Sequence, residues 1–182
     1  MSICVRACKR QRFGNKRVAL IAPALLADHH DIAEFNCGEE SLDHWLKKRA
    51  RVNQIEGASR TFVTSDGNRV VGYYALASGA LTLAAAPGKF KRNMPDPIPV
   101  VLLGRLAVDS AWQNRDIGRS LFRDAALRVS QAADTIGIRG IVVHALSERA
   151  RAFYIKLGFT ECPHNRMLLV VTLKDLRTAL AL

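Results

Sequence analysis

The stretch RLAVDSAWQNRDIGRSLFR, residues Arg105–Arg123, decides how this chain is read. It joins a strand, a turn and a helix in succession. Val100–Val108 is the apolar strand, Gln113–Gly118 the polar turn and Gly118–Ala133 the amphipathic helix. A polar turn with a glycine and basic side chains at a helix start is suited to an anion. The first backbone N–H groups of a helix have no intrahelical acceptor, and the helix dipole favours negative charge there. The remainder of the chain reads as a scaffold for a phosphate-bearing ligand.

The 182 residues suit one domain, and 49% hydrophobic content supplies a full core. No apolar run reaches the ~18 residues of a membrane span, so no membrane partner is expected. The net charge of +11 is unevenly placed. Six of the 27 Lys and Arg residues (Arg6, Lys9, Arg10, Arg12, Lys16, Arg17) lie in residues 1–17, which hold no acid; the rest of the chain carries 21 bases against 16 acids. Residues 1–17 are therefore expected to be a basic, disordered leader, and residues 18–182 the folded domain. The leader lacks the apolar segment of a secretory signal. Cys4, Cys8, Cys37 and Cys162 form no CxxC pair, and the five histidines fall in no zinc spacing. Reduced thiols in a cytoplasmic protein without a metal are the expectation.

Val18–Leu26 reads as the first strand, followed by a polar loop whose His29 and His30 are expected at the surface. Cys37–Ser41 opens a helix with Leu42, Trp45, Leu46 and Ala50 on its inner face, ended by Gly57. Two β-rich runs flank Asp66-Gly67, a hairpin signal, and the second continues to Leu83. Pro87, Gly88, Pro95, Pro97 and Pro99 exclude regular structure from residues 84–99. Gly140–His144 is a short buried strand. Ser147 caps a helix over Glu148–Leu157 that stops at Gly158, and Met167–Leu173 and Leu173–Leu182 are a last strand and helix. This order suggests an α+β domain with one mostly antiparallel sheet. Two basic clusters stand out, Lys47, Lys48, Arg49 and Arg51 in one, Lys89, Lys91 and Arg92 in the other. Each reads either as a solvated face or as a patch for phosphates.

The strand, the Gln113-x-x-x-x-Gly118 turn and helix, the second strand and then ARAFYIKLGF (Ala150–Phe159) together resemble the GNAT superfamily of acetyl-CoA-dependent N-acetyltransferases. The resemblance covers residues 23–173. The segments HDI (His30–Ile32), FNCG (Phe35–Gly38), WLKKRAR (Trp45–Arg51), GASRTFV (Gly57–Val63) and VVGYYALASG (Val70–Gly79) look like the TacT-like toxins of bacterial toxin–antitoxin pairs.

The resemblance implies a GNAT fold, a single mixed sheet with a splayed central strand pair and helices on both faces. It implies acetyl transfer from acetyl-CoA to the α-amine of aminoacyl-tRNA, which blocks translation. It implies a ribbon-helix-helix antitoxin, DNA contact only through that partner, and a homodimer. Carried over by position, the backbone at Leu106, Ala107 and Val108 pairs with pantetheine. Gln113, Asn114, Arg115, Asp116, Ile117, Gly118, Arg119 and Ser120 wrap the diphosphate. Ser147 stands where the superfamily often has a cofactor-contacting asparagine. Tyr154 is the general acid, a phenol near pKa 10 that gives its proton to a departing thiolate. Asp116 departs from the pattern, which has a glycine there, and it tolerates positive φ better than most residues. No acid lies within Val100–Val108. Asp109 at the strand end and His144 are the remaining base candidates, and an aminoacyl amine near 7.7–8.0 needs little help. The two basic clusters are then the RNA-facing candidates. A GNAT enzyme for a small-molecule or protein amine, and a non-catalytic acetyl-CoA-binding regulatory subunit, stay open at this point.

Overall fold

A computed structural model describes residues 20–180 of the chain; the basic leader expected over residues 1–17 lies outside them. In chain order the strands are β1 (Leu20–Leu25), β2 (Arg60–Asp66), β3 (Arg69–Leu81), β4 (Ile98–Val108), β5 (Gly140–His144), β6 (Thr160–Cys162) and β7 (Asn165–Thr172). The helices are α1 (Glu40–Lys48), α2 (Ala50–Ile55), α3 (Gly88–Lys91), α4 (Ile117–Ala132), α5 (Glu148–Lys156) and α6 (Leu173–Leu180). The strands form one sheet in the order β1-β2-β3-β4-β5-β7-β6. Every pairing is antiparallel except β4 with β5.

That exception positions the site. β3 pairs with β4 along its whole length, from Gly72 opposite Val108 to Leu81 opposite Ile98. β5 pairs with β4 only at Val101–Ile141 and Leu102–Val142. Beyond Leu102 the two strands part. Ala75 faces Arg105 while Leu76 faces Leu103, so Gly104 is the extra residue of a β-bulge where they separate. A bulge bends its strand and increases the local twist.

Helices cover both faces because side chains alternate across a strand. The neighbouring tyrosines of β3 show it. Tyr73 packs with Phe35, Leu46 and Ala50 on one face, and its hydroxyl donates to the Leu42 carbonyl of α1 at 2.8 Å. Tyr74 packs with Leu121, Ala125 and Val129 on the other, and its hydroxyl donates to Asp124 of α4. Arg128 completes that second pin, donating to Asp124 at 2.8 Å and to the Pro23 carbonyl at 2.9 Å. α5 and α6 join α4 through Tyr154 and Leu176, and α3 lies on the opposite face through Phe90.

Several expectations are corrected. The helix expected from Cys37 to Gly57 is two helices, broken at Arg49 (φ −119°). The proline-rich segment is not wholly irregular. Pro87 precedes a single turn of helix, α3, which buries Phe90. Pro99 sits inside β4, where its carbonyl accepts from the Arg139 N–H at 2.9 Å. β6 was not expected at all. His30 is buried rather than at the surface, with Nδ1 accepting from the Ala27 N–H at 3.0 Å. Burial first, and His29 beside it second, hold its imidazole below the usual value.

Candidate active site

The parting of β4 from β5 opens a cleft of about 380 Å³. Its floor is Leu106, Ala107 and Val108. The Asp109 N–H donates to the Val71 carbonyl of β3 at 2.9 Å. Amides alternate in direction along a strand, so those of Leu106 and Val108 turn to the opposite edge, the one β5 has left. The amide of Ala107 turns back toward β3. Of the three residues expected to offer backbone here, two do so, and Ala107 contributes only its place in the lining.

Gln113 lines the cleft, and its side chain also braces it. Its Nε2 donates to the Val108 carbonyl at 3.1 Å and to the Cys37 carbonyl at 2.9 Å. It ties the end of β4 to the loop before α1. Asp109 does the same from below, accepting from the amides of Asn36 (3.2 Å) and Ala111 (3.0 Å). A buried carboxylate engaged in this way holds loops and is not placed as a base. His144 is exposed at the end of β5 and does not line the cleft.

The turn before α4 is shaped for an anion. Asn114 and Asp116 both have left-handed backbones (φ +59° and +56°), and the first backbone bond of the helix runs from Ser120 N–H to the Asp116 carbonyl at 3.0 Å. The amides of Ile117, Gly118 and Arg119 therefore precede any intrahelical acceptor, as in a backbone anion nest. At Gly118 a Cβ would lie 3.6 Å from the Phe153 ring, an ordinary contact distance. The Asp116 carboxylate is open to solvent: the side chain is 82% exposed and lies 3.8 Å from Arg119. Asp116→Gly is therefore expected to change acetyl-CoA affinity by less than about threefold in a calorimetric titration. A tenfold gain, about 1.4 kcal/mol, would show that the carboxylate opposes the phosphates.

Tyr154 reaches the cleft from α5. Ser147 caps that helix, accepting from the Ala150 N–H at 3.2 Å, and Gly158 ends it at φ +92°. Arg151 anchors it to β6 through Glu161 and also meets Glu148 at 3.1 Å. Tyr154 is 8% exposed, packed edge-on against Phe153 and Phe159. Among the described residues its hydroxyl has no hydrogen-bond partner, and burial raises its pKa above the usual phenol value. It is a protonated hydroxyl on the wall of an open cleft.

Of the residues expected around the diphosphate and at the helix cap, Gln113, Asn114, Asp116, Ile117, Gly118, Arg119 and Ser147 line the cleft, while Arg115 and Ser120 do not. Arg115 lies over the Trp112 ring, 5.0 Å from its centroid. Sequence reading missed Cys37, Glu39, Leu42, Trp112, Arg149, Ala150 and Phe153. Most are brought in from the loop before α1 and from α5, by folding rather than by spacing. Burial pushes the Cys37 thiol up to about 12, so it stays protonated. The basic clusters stand apart. Lys47, Lys48 and Arg49 are exposed near the end of α1. Arg51 is spent on structure, donating to the His30 carbonyl at 3.0 Å. Lys89, Lys91 and Arg92 lie by the start of β4, the full length of that strand from Val108. There Lys89 pairs with Asp175 at 2.8 Å. Among the described residues no group of three or more His, Cys, Asp or Glu gathers as a metal site, and no helix is long and apolar enough to cross a membrane.

A free strand edge running into an anion nest, with a protonated phenol between them, suits an acyltransferase whose acyl carrier bears a diphosphate. Residues 57–161 match the family described as the acetyltransferase (GNAT) domain, and the chain belongs to that family. The chain is 52% identical over 156 residues to a tRNA-acetylating toxin of Mycobacterium tuberculosis, covering 86% of this chain and 94% of that one. The structure of the AtaT toxin complexed with acetyl-methionyl-tRNAfMet superposes with a TM-score of 0.80 at 32% identity, covering 87% of this chain and 98% of that one. A tyrosine-to-phenylalanine variant of AtaT, bound to the C-terminus of the antitoxin AtaR and acetyl-CoA, gives a TM-score of 0.77 at 30% identity over 90% and 99% of the two chains. The expected splayed pair and two-faced helix cover are thus both present in a GNAT acetyltransferase.

Proposed function

We propose that this chain is a toxin that acetylates the α-amine of aminoacyl-tRNA in the cytoplasm and so blocks translation. The observation that carries the proposal is the cleft itself, present in a chain 52% identical to a tRNA-acetylating toxin. The residues present fit acetyl-CoA, which supplies a thioester whose acetyl group passes to the amine as its thiol departs. The amides of Leu106 and Val108 offer an open strand edge to the amide-bearing arm of such a ligand. The amides of Ile117, Gly118 and Arg119, with the Arg119 side chain beside them, hold the diphosphate. Tyr154 holds a proton for the departing sulfur. None of the expected bases faces the floor of the cleft, which suits an amine of pKa near 7.7–8.0 and not a lysine amine near 10.4.

A ribbon-helix-helix antitoxin, and DNA through it, complete the proposed partners; the AtaT structure bound to its antitoxin's C-terminus supports that arrangement. A homodimer is proposed with them. Purified protein supplied with labelled acetyl-CoA is expected to label charged tRNA and to spare free amino acids. Labelling of free amino acids with charged tRNA left bare would overturn the proposal.

A further inference from the structure

A second concavity, about 520 Å³, lies along the outer side of α1 and is lined by Glu39, Glu40, Ser41, His44, Trp45, Arg49 and Arg105. Glu39 also lines the acetyl cleft, so the two spaces adjoin. α1 spans about 13 Å at 1.5 Å per residue, and it orders the charges in between. Glu39 and Glu40 stand at its start, beside the cleft. Trp45 and Arg105 stand at its middle, and Arg49 at its end.

Arg105 is the residue that no reading of the turn or of the helix accounts for. It projects from the bulged part of β4, half-buried, with its guanidinium 5.6 Å from the centre of the Trp45 ring. The ring's other neighbour is Tyr73, stacked at 5.9 Å and 9° between planes. The indole holds the guanidinium through this cation–π contact. Among the described residues Arg105 meets no acid within ion-pair distance, and its one hydrogen bond goes to the Gly104 carbonyl at 2.6 Å. Arg49 is exposed, and its side chain has no partner among the described residues. Two guanidiniums are thus left to one space that begins at a carboxylate.

We infer that this concavity seats the acceptor end of the RNA, with Arg105 and Arg49 on its terminal phosphates and Glu39 facing the ammonium form of the aminoacyl group. The inference rests on the aminoacyl-tRNA reading and adds its binding path. An aminoacylated RNA end has this polarity, a cation at its tip and phosphates behind it. Guanidinium forks recognise phosphate through paired N–H donors.

The test is steady-state acetylation of charged tRNA by Arg105→Ala, Arg49→Ala and Arg105→Lys across a range of salt. Each alanine variant is expected to raise KM for charged tRNA at least tenfold with kcat changed less than threefold. Each is also expected to reduce the slope of log(kcat/KM) against log salt by about one, and Arg105→Lys to recover part of both effects. A KM and slope equal to those of the unaltered protein overturn the inference. So does a rise confined to the KM for acetyl-CoA, which would assign these arginines to the co-substrate's phosphates. Should Arg105→Ala fail to fold, Arg49→Ala decides alone, because Arg49 is exposed. An unaltered protein that leaves charged tRNA bare removes the toxin reading and this inference together. One that acetylates charged tRNA, beside variants that match it, removes this inference only.

Discussion

Tyr154→Phe is expected to lower kcat for acetyl transfer by at least about 100-fold, the lower end of what a positioned general acid contributes, while acetyl-CoA affinity stays within about twofold. The substitution removes one oxygen and leaves the ring that packs on Phe153 and Phe159. That oxygen has no hydrogen-bond partner among the described residues, so its loss orphans no donor or acceptor. The fold should therefore melt within a few degrees of the unaltered protein. Thiol release and tRNA labelling, followed side by side, check the result; turnover within tenfold of the unaltered enzyme would take Tyr154 out of the mechanism. The pH profile adds an independent reading. Burial raises the phenol's pKa, so the acid stays loaded at every pH below its ordinary value of about 10. The rate should rise with pH as the substrate amine loses its proton near 7.7–8.0 and should show no fall before about pH 10. A descending limb at pH 8–9 would assign the proton donor to another group.

The place of Tyr154 in the cleft was legible because helix signals and motif agree: the Ser147 cap, Gly158 at the far end and FYxxxGF between them. The strand–turn–helix at Arg105–Arg123 was legible for the same reason, and so was the hairpin at Asp66-Gly67. What escaped reading was whatever distant segments decide. The loop at Cys37–Leu42 lines the cleft because Asp109 and Gln113, more than 70 residues later, bond to it. Gln113 lines the cleft as expected of a ligand residue, and its side chain has a second task that spacing does not reveal, donating to two carbonyls. α3 was hidden by prolines, which forbid long elements and still allow one turn when Phe90 finds a core to enter. The strand splay itself came from the resemblance, not from the residues. The break in pairing after Leu102 coincides with Gly104 and Arg105 in an otherwise apolar strand, which on their own do not specify a splay. The basic clusters were legible as charge and not as place. One lies near the end of α1, with Arg49 lining the second concavity, and the other by the start of β4.

Gly140→Ala is expected to destabilise the fold by about 3 kcal/mol or more, a fall of about 6–12 °C in Tm for a chain of this size. Gly140 opens β5 and pairs with Thr172 of β7. A Cβ there would collide with the Val171 carbonyl oxygen and come within 3.0 Å of both the Phe90 ring and Thr172 Cα. Two of those three neighbours are backbone atoms of the adjacent strand, which cannot give without breaking the β5–β7 register. The ring cannot give easily either. Phe90 is fully buried, and the carbonyls of Phe90 and Lys89 accept from Arg139 at 2.7 and 2.8 Å. Arg139 also joins β4 through the Pro99 carbonyl and α6 through Leu173, so strain at Gly140 has no loose element to absorb it. Gly104→Ala is the matched comparison: its nearest neighbours are Leu102 side-chain atoms at 3.9 Å, its φ is not left-handed, and a cost below about 1 kcal/mol is expected. Thermal melts of the two variants side by side decide it; a Gly140→Ala protein melting within 2 °C of the unaltered one would show that β5 can slide. The consequence reaches the active site, because Ile141, the next residue, is where β5 meets Val101 of β4. The pairing at Ile141 and Val142 fixes where the strands part. A Gly140→Ala protein that stays folded should therefore also bind acetyl-CoA less tightly, with no residue of the cleft altered.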